Sequence, residues 1–335
     1  MFPNPQEGNR VVSKARALWH DGTGQSSIRE EELPPLDDGW CEIRTLFSSV
    51  SPGTESLVAR GRVPREIHGE MACPYMGGEF PFPVKYGYSL VGEVVAGSPE
   101  WVGKTVHVLH PHQTRCRVRE RDVHPIPLPV SPERATLAST METAVNALWD
   151  SGVSVGDRVL VVGFGTVGSL VARLVSGIPG VQPTVVDADP RKVELARKMG
   201  FAAEDPLEAG DGFDLVFHAS GTGDGLQTGI DRLGFEGTVV DLSWYGDGKV
   251  SLGLGGTFHA GRKTITSSQV SHVSARKRSL WDRDRRKDLV FSCLENAEYD
   301  AHLTSSVSFQ DLPEVFKSLR DSPVRELSYL VTYGD

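Results

Sequence analysis

The run Arg158-Val159-Leu160-Val161-Val162 is apolar and β-branched, and it leads straight into Gly163-Phe164-Gly165-Thr166-Val167-Gly168. Behind it, Ser169-Leu170-Val171-Ala172-Arg173-Leu174-Val175 has helical spacing. Three glycines alone say little. Set between a strand and a helix, they specify a dinucleotide-binding turn. Gly163 permits the tight turn, Gly165 lets the backbone approach a pyrophosphate, and Gly168 lets helix and strand pack closely. Phe164, Thr166 and Val167 complete the turn, and the helix start offers free N–H groups and a positive dipole end to phosphates.

A second apolar strand, Pro183-Thr184-Val185-Val186, ends in Asp187, roughly 20 residues past the glycines, where a ribose-binding acid is expected. A carboxylate there accepts hydrogen bonds from the ribose hydroxyls and repels a 2′-phosphate, so the expected cofactor is NAD. Ala188, Arg191 and Lys192 follow within its reach, and the two cations could tolerate a phosphate. An ordinary βαβ turn with a surface aspartate is the plainer alternative.

Strands at 159–162, 184–186, 214–217, 238–241 and 264–267, with helices near 192–199 and 224–233 between them, read as a doubly wound parallel sheet. The first third lacks that rhythm. Cys41–Leu46 alternates like a half-buried strand, and Pro, Gly and short β-like runs dominate residues 64–132, which suits a small barrel-like β domain. Ser131 reads as an N-cap with Pro132 at the first position of a helix over 134–148. A β-like 306–309, a helix at 312–320 and a strand at 327–332 should fold back onto the first domain.

The chain has 335 residues, enough for two cores, with 24% charged and 39% hydrophobic residues. A net charge of −9 argues against nucleic acid. The mixed-sign run from Arg276 to Lys287 reads as a solvated helix face, or else a phosphate or subunit contact. Met1–Glu7 lacks the basic and apolar regions of a signal peptide, and no apolar run approaches a membrane span. Four scattered cysteines suit reduced thiols in a cytoplasm.

This layout resembles the medium-chain dehydrogenase/reductase family, the alcohol and sorbitol dehydrogenase relatives, over nearly the whole length. Gly163 to Asp187 fits the coenzyme fingerprint. Phe82 to Val95 is similar to the family's proline–GHE–glycine segment, and Pro52-Gly53-Thr54-Glu55 to its Cys-x-(Ser/Thr)-(Asp/Glu) segment. The resemblance implies a GroES-like catalytic domain from residues 1–140 and 271–335, a Rossmann NAD-binding domain from residues 141–270, and a homodimer that continues the Rossmann sheet through the strand at 238–241 or 264–267. It also implies zinc ligands, and there the chain departs. Pro52 stands at the Cys, Tyr88 at the His and Ser89 at the neighbouring Glu, while near 139–142 only Glu142 could bind metal. One carboxylate cannot hold zinc. The four-cysteine structural lobe is missing too, so no metal is expected.

Without zinc, side chains must move the proton and hold the developing alkoxide. Thr54 occupies the family's hydroxyl relay position, and Glu55 beside it is a base, an orienting carboxylate or a salt-bridge partner. Tyr88 is expected to act as general acid/base with a pKa lowered by Lys85 nearby, or simply to hydrogen-bond the substrate oxygen, and the plainer alternative is a ring that plugs the vacant metal cavity. His107, His110 and His112 form HxxHxH; in a strand His110 and His112 share a face, although Pro111 interrupts pairing. The family register puts His110 in the substrate pocket, while structural and metal-binding roles stay open. Ser220, Gly221, Ser243, Trp244, Tyr245, Ser268 and Gln269 follow strand ends and should line the nicotinamide site. The resulting expectation is an NAD-dependent, zinc-independent oxidoreductase acting on a secondary alcohol or ketone, with a polar small-molecule substrate and neither nucleic acid nor membrane as partner. A zinc-free NADPH-dependent quinone or enoyl reductase and a non-catalytic NAD-binding protein are the alternatives.

Overall fold

A computed structural model describes residues 13–322 and 324–334. The signal-peptide reading rests on residues 1–7, which lie outside that range. Among the described residues no helix is long and apolar enough to cross a membrane.

The central element is a six-stranded parallel sheet in the order Ala202–Glu204, Thr184–Val186, Val159–Val162, Phe213–His218, Leu233–Asp241, Thr264–Ser267. Counted along the chain these are the third, second, first, fourth, fifth and sixth strands, the doubly wound order whose switch point lies beside the first strand. Val159–Val162 is buried throughout, with Val159 and Val161 in one apolar cluster and Leu160 and Val162 in another. The register puts Val162 level with Val186 and His218, His218 with Asp241, and Asp241 with Ser267. The carboxyl ends of five strands therefore meet in one row, the edge at which open α/β sheets bind ligands.

The remainder is mainly antiparallel. Trp40–Val50 pairs with Leu90–Ala96, Arg115–Arg119 and the C-terminal strand Tyr329–Thr332, which returns to lie against it with Tyr329 opposite Val50. Lys14–Gly22 and Gln25–Glu32 form a hairpin in a second, four-stranded sheet.

Three local expectations change. The helix over 134–148 is two, Pro132–Ala135 and Ala138–Ser151. Thr136 and Leu137 tighten onto carbonyls three residues back, and the Ser89 hydroxyl takes the Thr136 carbonyl. The charged run 276–287 is mostly solvated, with Arg276, Arg278, Asp282, Arg283, Asp284 and Arg285 exposed, but only its end is helix. That helix begins at Arg283, and Arg286 and Lys287 are each 3% exposed because both reach the carboxylate of Glu142. The strand Leu233–Asp241 lies inside the sheet, which leaves Thr264–Ser267 as the edge on that side.

Candidate active site

The glycine turn leaves room for a pyrophosphate. Gly163 has φ +97°, and a Cβ there would sit 2.6 Å from the Ser220 backbone; one at Gly168 would sit 1.9 Å from the Gly163 carbonyl. At Gly165 a Cβ would meet nothing within 4 Å. Two glycines are thus required by packing, and the third faces open space where a phosphate fits. Asp187 is held across the turn, accepting the Phe164 N–H at 2.7 Å and the Asp189 N–H at 2.8 Å. Lone pairs remain for ribose hydroxyls. Arg191 is gripped by Asp189 at 2.9 and 2.6 Å, while Ala188 is exposed and Lys192 half-buried nearby. The residues present fit a dinucleotide.

Not every turn residue faces it. Phe164 is fully buried and packs its ring edge-on to Phe201, Val167 packs against the same core, and the Thr166 hydroxyl donates to the Leu327 carbonyl. These side chains tie the turn to the core and to the returning C-terminal segment, which removes Phe164 and Thr166 as side-chain ligands.

Two residues that sequence reasoning passed over organise the next strand ends. His218 closes one strand and Asp241 the next, with His218 Nδ1 2.8 Å from Asp241 and Nε2 2.7 Å from the Ser220 hydroxyl. The Ser243 hydroxyl accepts the Gly221 N–H at 3.0 Å, and Tyr245 donates to Asp241 at 3.1 Å. The spacing is that of a serine–histidine–aspartate set, but the amides after the serine are spent: that of Gly221 on Ser243, that of Thr222 on Ser220 itself. Without paired donors for an oxyanion the set lacks a hydrolase's main electrostatic element. It fixes the hydroxyls of Ser220 and Ser243 at the cofactor edge. A polar residue ending an apolar strand was the available signal. Ser268 donates to Asp150 at 2.6 Å, and exposed Gln269 accepts the Ser271 N–H at 2.7 Å, so both are engaged locally.

The candidate proton-handling groups converge at the start of the helix Pro52–Ala59. The Tyr88 hydroxyl lies beside the hydroxyls of Ser51 and Thr54, and Trp244 packs with Tyr88 on one apolar cluster, so the two sheets meet here. The Tyr88 position is fixed from behind, where the Ser139 hydroxyl donates to its carbonyl at 2.6 Å. Burial pushes the Tyr88 phenol far above its ordinary value, and the Glu55 carboxylate pushes it the same way by resisting a second negative charge. The expected lowering by Lys85 does not occur. Lys85 is committed to Glu31 at 2.6 Å and Gln113 at 2.9 Å.

Glu55 is fully buried, yet both carboxylate oxygens are satisfied. One accepts the Ser51 N–H at 2.7 Å, and the other lies 2.9 Å from His112 Nε2. On the far side His112 Nδ1 meets the Ser48 hydroxyl at 2.7 Å, which meets the Tyr333 hydroxyl at 2.8 Å. Gly87, at φ +142°, lets the Tyr86–Tyr88 segment cross His112, since a Cβ there would lie 3.2 Å from the imidazole. His110 does not join this group. Its ring stacks on Tyr75 at 5.5 Å, Nδ1 turns to the Pro111 carbonyl at 2.8 Å, and burial lowers its pKa to about 3. Pro111 breaks the alternation that put both histidines on one face.

The zinc implied by the resemblance does not fit the donor set. Pro52 has no donor, Tyr88 holds its proton, and Glu142 is bound by both Arg286 and Lys287. His107, which neighbours Ser139 at 3.2 Å, is buried with its pKa driven down by burial and by Lys287. Among the described residues no three His, Cys, Asp or Glu side chains are grouped to hold a metal.

No family model matches the chain. At 22% identity over 324 residues, spanning 87% of this chain and 92% of the relative, it is similar to D-guloside 3-dehydrogenase of Escherichia coli (strain K12). A shorter match, 24% over 143 residues, covers 38% of this chain and 37% of (R,R)-butanediol dehydrogenase of Saccharomyces cerevisiae. Among solved structures, 2R,3R-butanediol dehydrogenase from Bacillus subtilis superposes with a TM-score of 0.75 at 18% identity, covering 95% of this chain and 99% of that one. An alcohol dehydrogenase from Escherichia coli CFT073, complexed with NADH, superposes with a TM-score of 0.73 at 17% identity over 96% and 99%. A protein described as a zinc-binding dehydrogenase from Sinorhizobium meliloti 1021, bound to NADP, gives 0.75 at 17% identity over the same shares. The chain has the fold of medium-chain dehydrogenases, a GroES-like β domain joined to a Rossmann sheet, and the two curated relatives above are named dehydrogenases.

Proposed function

We propose that the protein is a zinc-independent, NAD(H)-dependent oxidoreductase that interconverts a secondary alcohol and a ketone on a polar, polyol-like substrate. The observation that carries this reading is the Tyr88 hydroxyl set between Ser51 and Thr54 with Glu55 behind it, in the place where zinc chemistry would need ligands. NAD(H) supplies or accepts the hydride. Tyr88 keeps its proton at working pH, so it donates a hydrogen bond to the substrate oxygen and stabilises a developing alkoxide. Thr54 fixes the orientation of that oxygen. In ketone reduction the hydroxyl pair delivers the proton; in alcohol oxidation Glu55, behind that pair, receives it. The hydroxyl-rich lining and Asp187 support this reading over NADPH-dependent enoyl reduction. Incubation with NAD and a panel of polyols and secondary alcohols tests it through NADH formation, and a panel without turnover would favour a non-catalytic NAD-binding protein.

Cofactor choice follows from Asp187, whose fixed carboxylate opposes a 2′-phosphate, and from Asp189, which holds the guanidinium of Arg191 away from one. Fluorescence titration should show tighter binding of NADH than NADPH. Asp187→Ala should weaken NADH and erase the difference; equal affinities in the unaltered protein would refute the assignment.

Among the described residues the outer edge of the strand Thr264–Ser267 pairs with no strand, and a second copy continuing the sheet there would cover it. We assign a homodimer on that edge, and light scattering showing only a 36.4 kDa species would exclude it. Cys41, Cys73, Cys116 and Cys293 are unpaired, which suits a cytoplasm, and cell fractionation checks that placement.

A further inference from the structure

The groups behind Tyr88 form an unbroken line. Glu55 Oε2 lies 2.9 Å from His112 Nε2, His112 Nδ1 lies 2.7 Å from the Ser48 hydroxyl, and that hydroxyl lies 2.8 Å from Tyr333. Glu55, His112 and Ser48 are all fully buried, and Tyr333, its ring stacked on Phe309, is half-buried. Each inner member can both accept and donate a proton, and each contact is within ordinary hydrogen-bond range. Both ring nitrogens of His112 are matched, one to an acid and one to a hydroxyl, so the imidazole can take up a proton on one side and release one on the other. Phe316 closes over the imidazole at 6.4 Å and Gly87 lies against it, which keeps water from short-circuiting the line.

We propose that Glu55, His112, Ser48 and Tyr333 form an internal proton relay between the Tyr88–Thr54 site and the protein surface beside the C-terminal strand. The inference rests on the oxidoreductase reading above. Oxidation of one alcohol passes a hydride to NAD and releases one proton. Glu55 takes that proton and gives it to His112 Nε2, the proton on Nδ1 passes to Ser48, the Ser48 proton to Tyr333, and the Tyr333 proton to solvent. One proton enters and one leaves, and reduction runs the line in reverse. His112, Ser48 and Tyr333 are positioning residues in this scheme, because none of them touches substrate.

Two variants cut the line with little change of shape, Tyr333→Phe and Ser48→Ala. Each should lower kcat roughly tenfold, less than the 10²–10⁴-fold expected of a group acting directly on the substrate. KM and NADH affinity should be unchanged, and the solvent deuterium isotope effect on kcat should rise as proton exit becomes limiting. Ser48→Thr, which keeps the hydroxyl, should restore most of the loss. Both variants at wild-type kcat with an unchanged isotope effect would overturn the relay while leaving the oxidoreductase reading intact. A fall in kcat accompanied by weaker NADH binding and no rise in the isotope effect would also overturn it, as structural damage. A wild-type protein that turns over nothing on the alcohol panel removes the oxidoreductase reading and the relay together.

Discussion

Replacing Thr54 by alanine or Tyr88 by phenylalanine should each lower turnover by roughly 10²–10⁴-fold while leaving NAD affinity unchanged. The Tyr88 hydroxyl is the protonated group at the junction of the two sheets, and Thr54 stands beside it. Phenylalanine keeps the ring that packs edge-on to Tyr86 at 6.0 Å, so the fold should survive and only the donor is lost. Steady-state kinetics with a turned-over polyol would measure the effect. A fully active Tyr88→Phe enzyme would mean that the ring merely fills space where metal relatives bind zinc.

The largest effect on stability is expected at Glu142. Its carboxylate compensates two cations, Arg286 and Lys287, whose side chains are each only 4% exposed. Glu142→Gln leaves both buried without a counter-charge, and loss of one partner from a buried ion pair costs about 3–5 kcal/mol. The triple change Glu142→Leu, Arg286→Met and Lys287→Met should recover most of that loss, because well-packed apolar groups of similar volume replace such networks at little net cost. Denaturant unfolding monitored by circular dichroism would report both. A loss below about 1 kcal/mol in Glu142→Gln would contradict this account of the α/β core.

What was legible in the sequence was local. The strand, the three glycines and the helix follow one another within Val159–Val175, and Asp187 follows at the length of one helix and one strand, so no knowledge of distant contacts was needed. The alternation of strands and helices marked the parallel sheet for the same reason. The site was harder because its members come from five parts of the chain. The family register favoured His110, but the strand ends at Val108, ahead of Pro111, and it is His112 rather than His110 that meets Glu55. Tyr333 reaches Ser48 only because the last strand returns to pair with Trp40–Val50. The Arg286 and Lys287 side chains look solvated until Glu142 is seen opposite them on another helix. The lowered tyrosine pKa failed because burial and the Glu55 charge both raise it, while Lys85 is held by Glu31.

The central claim is hydride exchange between NAD(H) and an alcohol or ketone carried out by hydroxyl and carboxylate side chains without zinc. The most direct test is turnover of the polyol panel by protein dialysed against a strong chelator, with metal content measured on the same sample. NADH should form at an undiminished rate, with well under one zinc per chain and no gain on adding zinc. Activity that falls with chelation and returns in proportion to added zinc would contradict it.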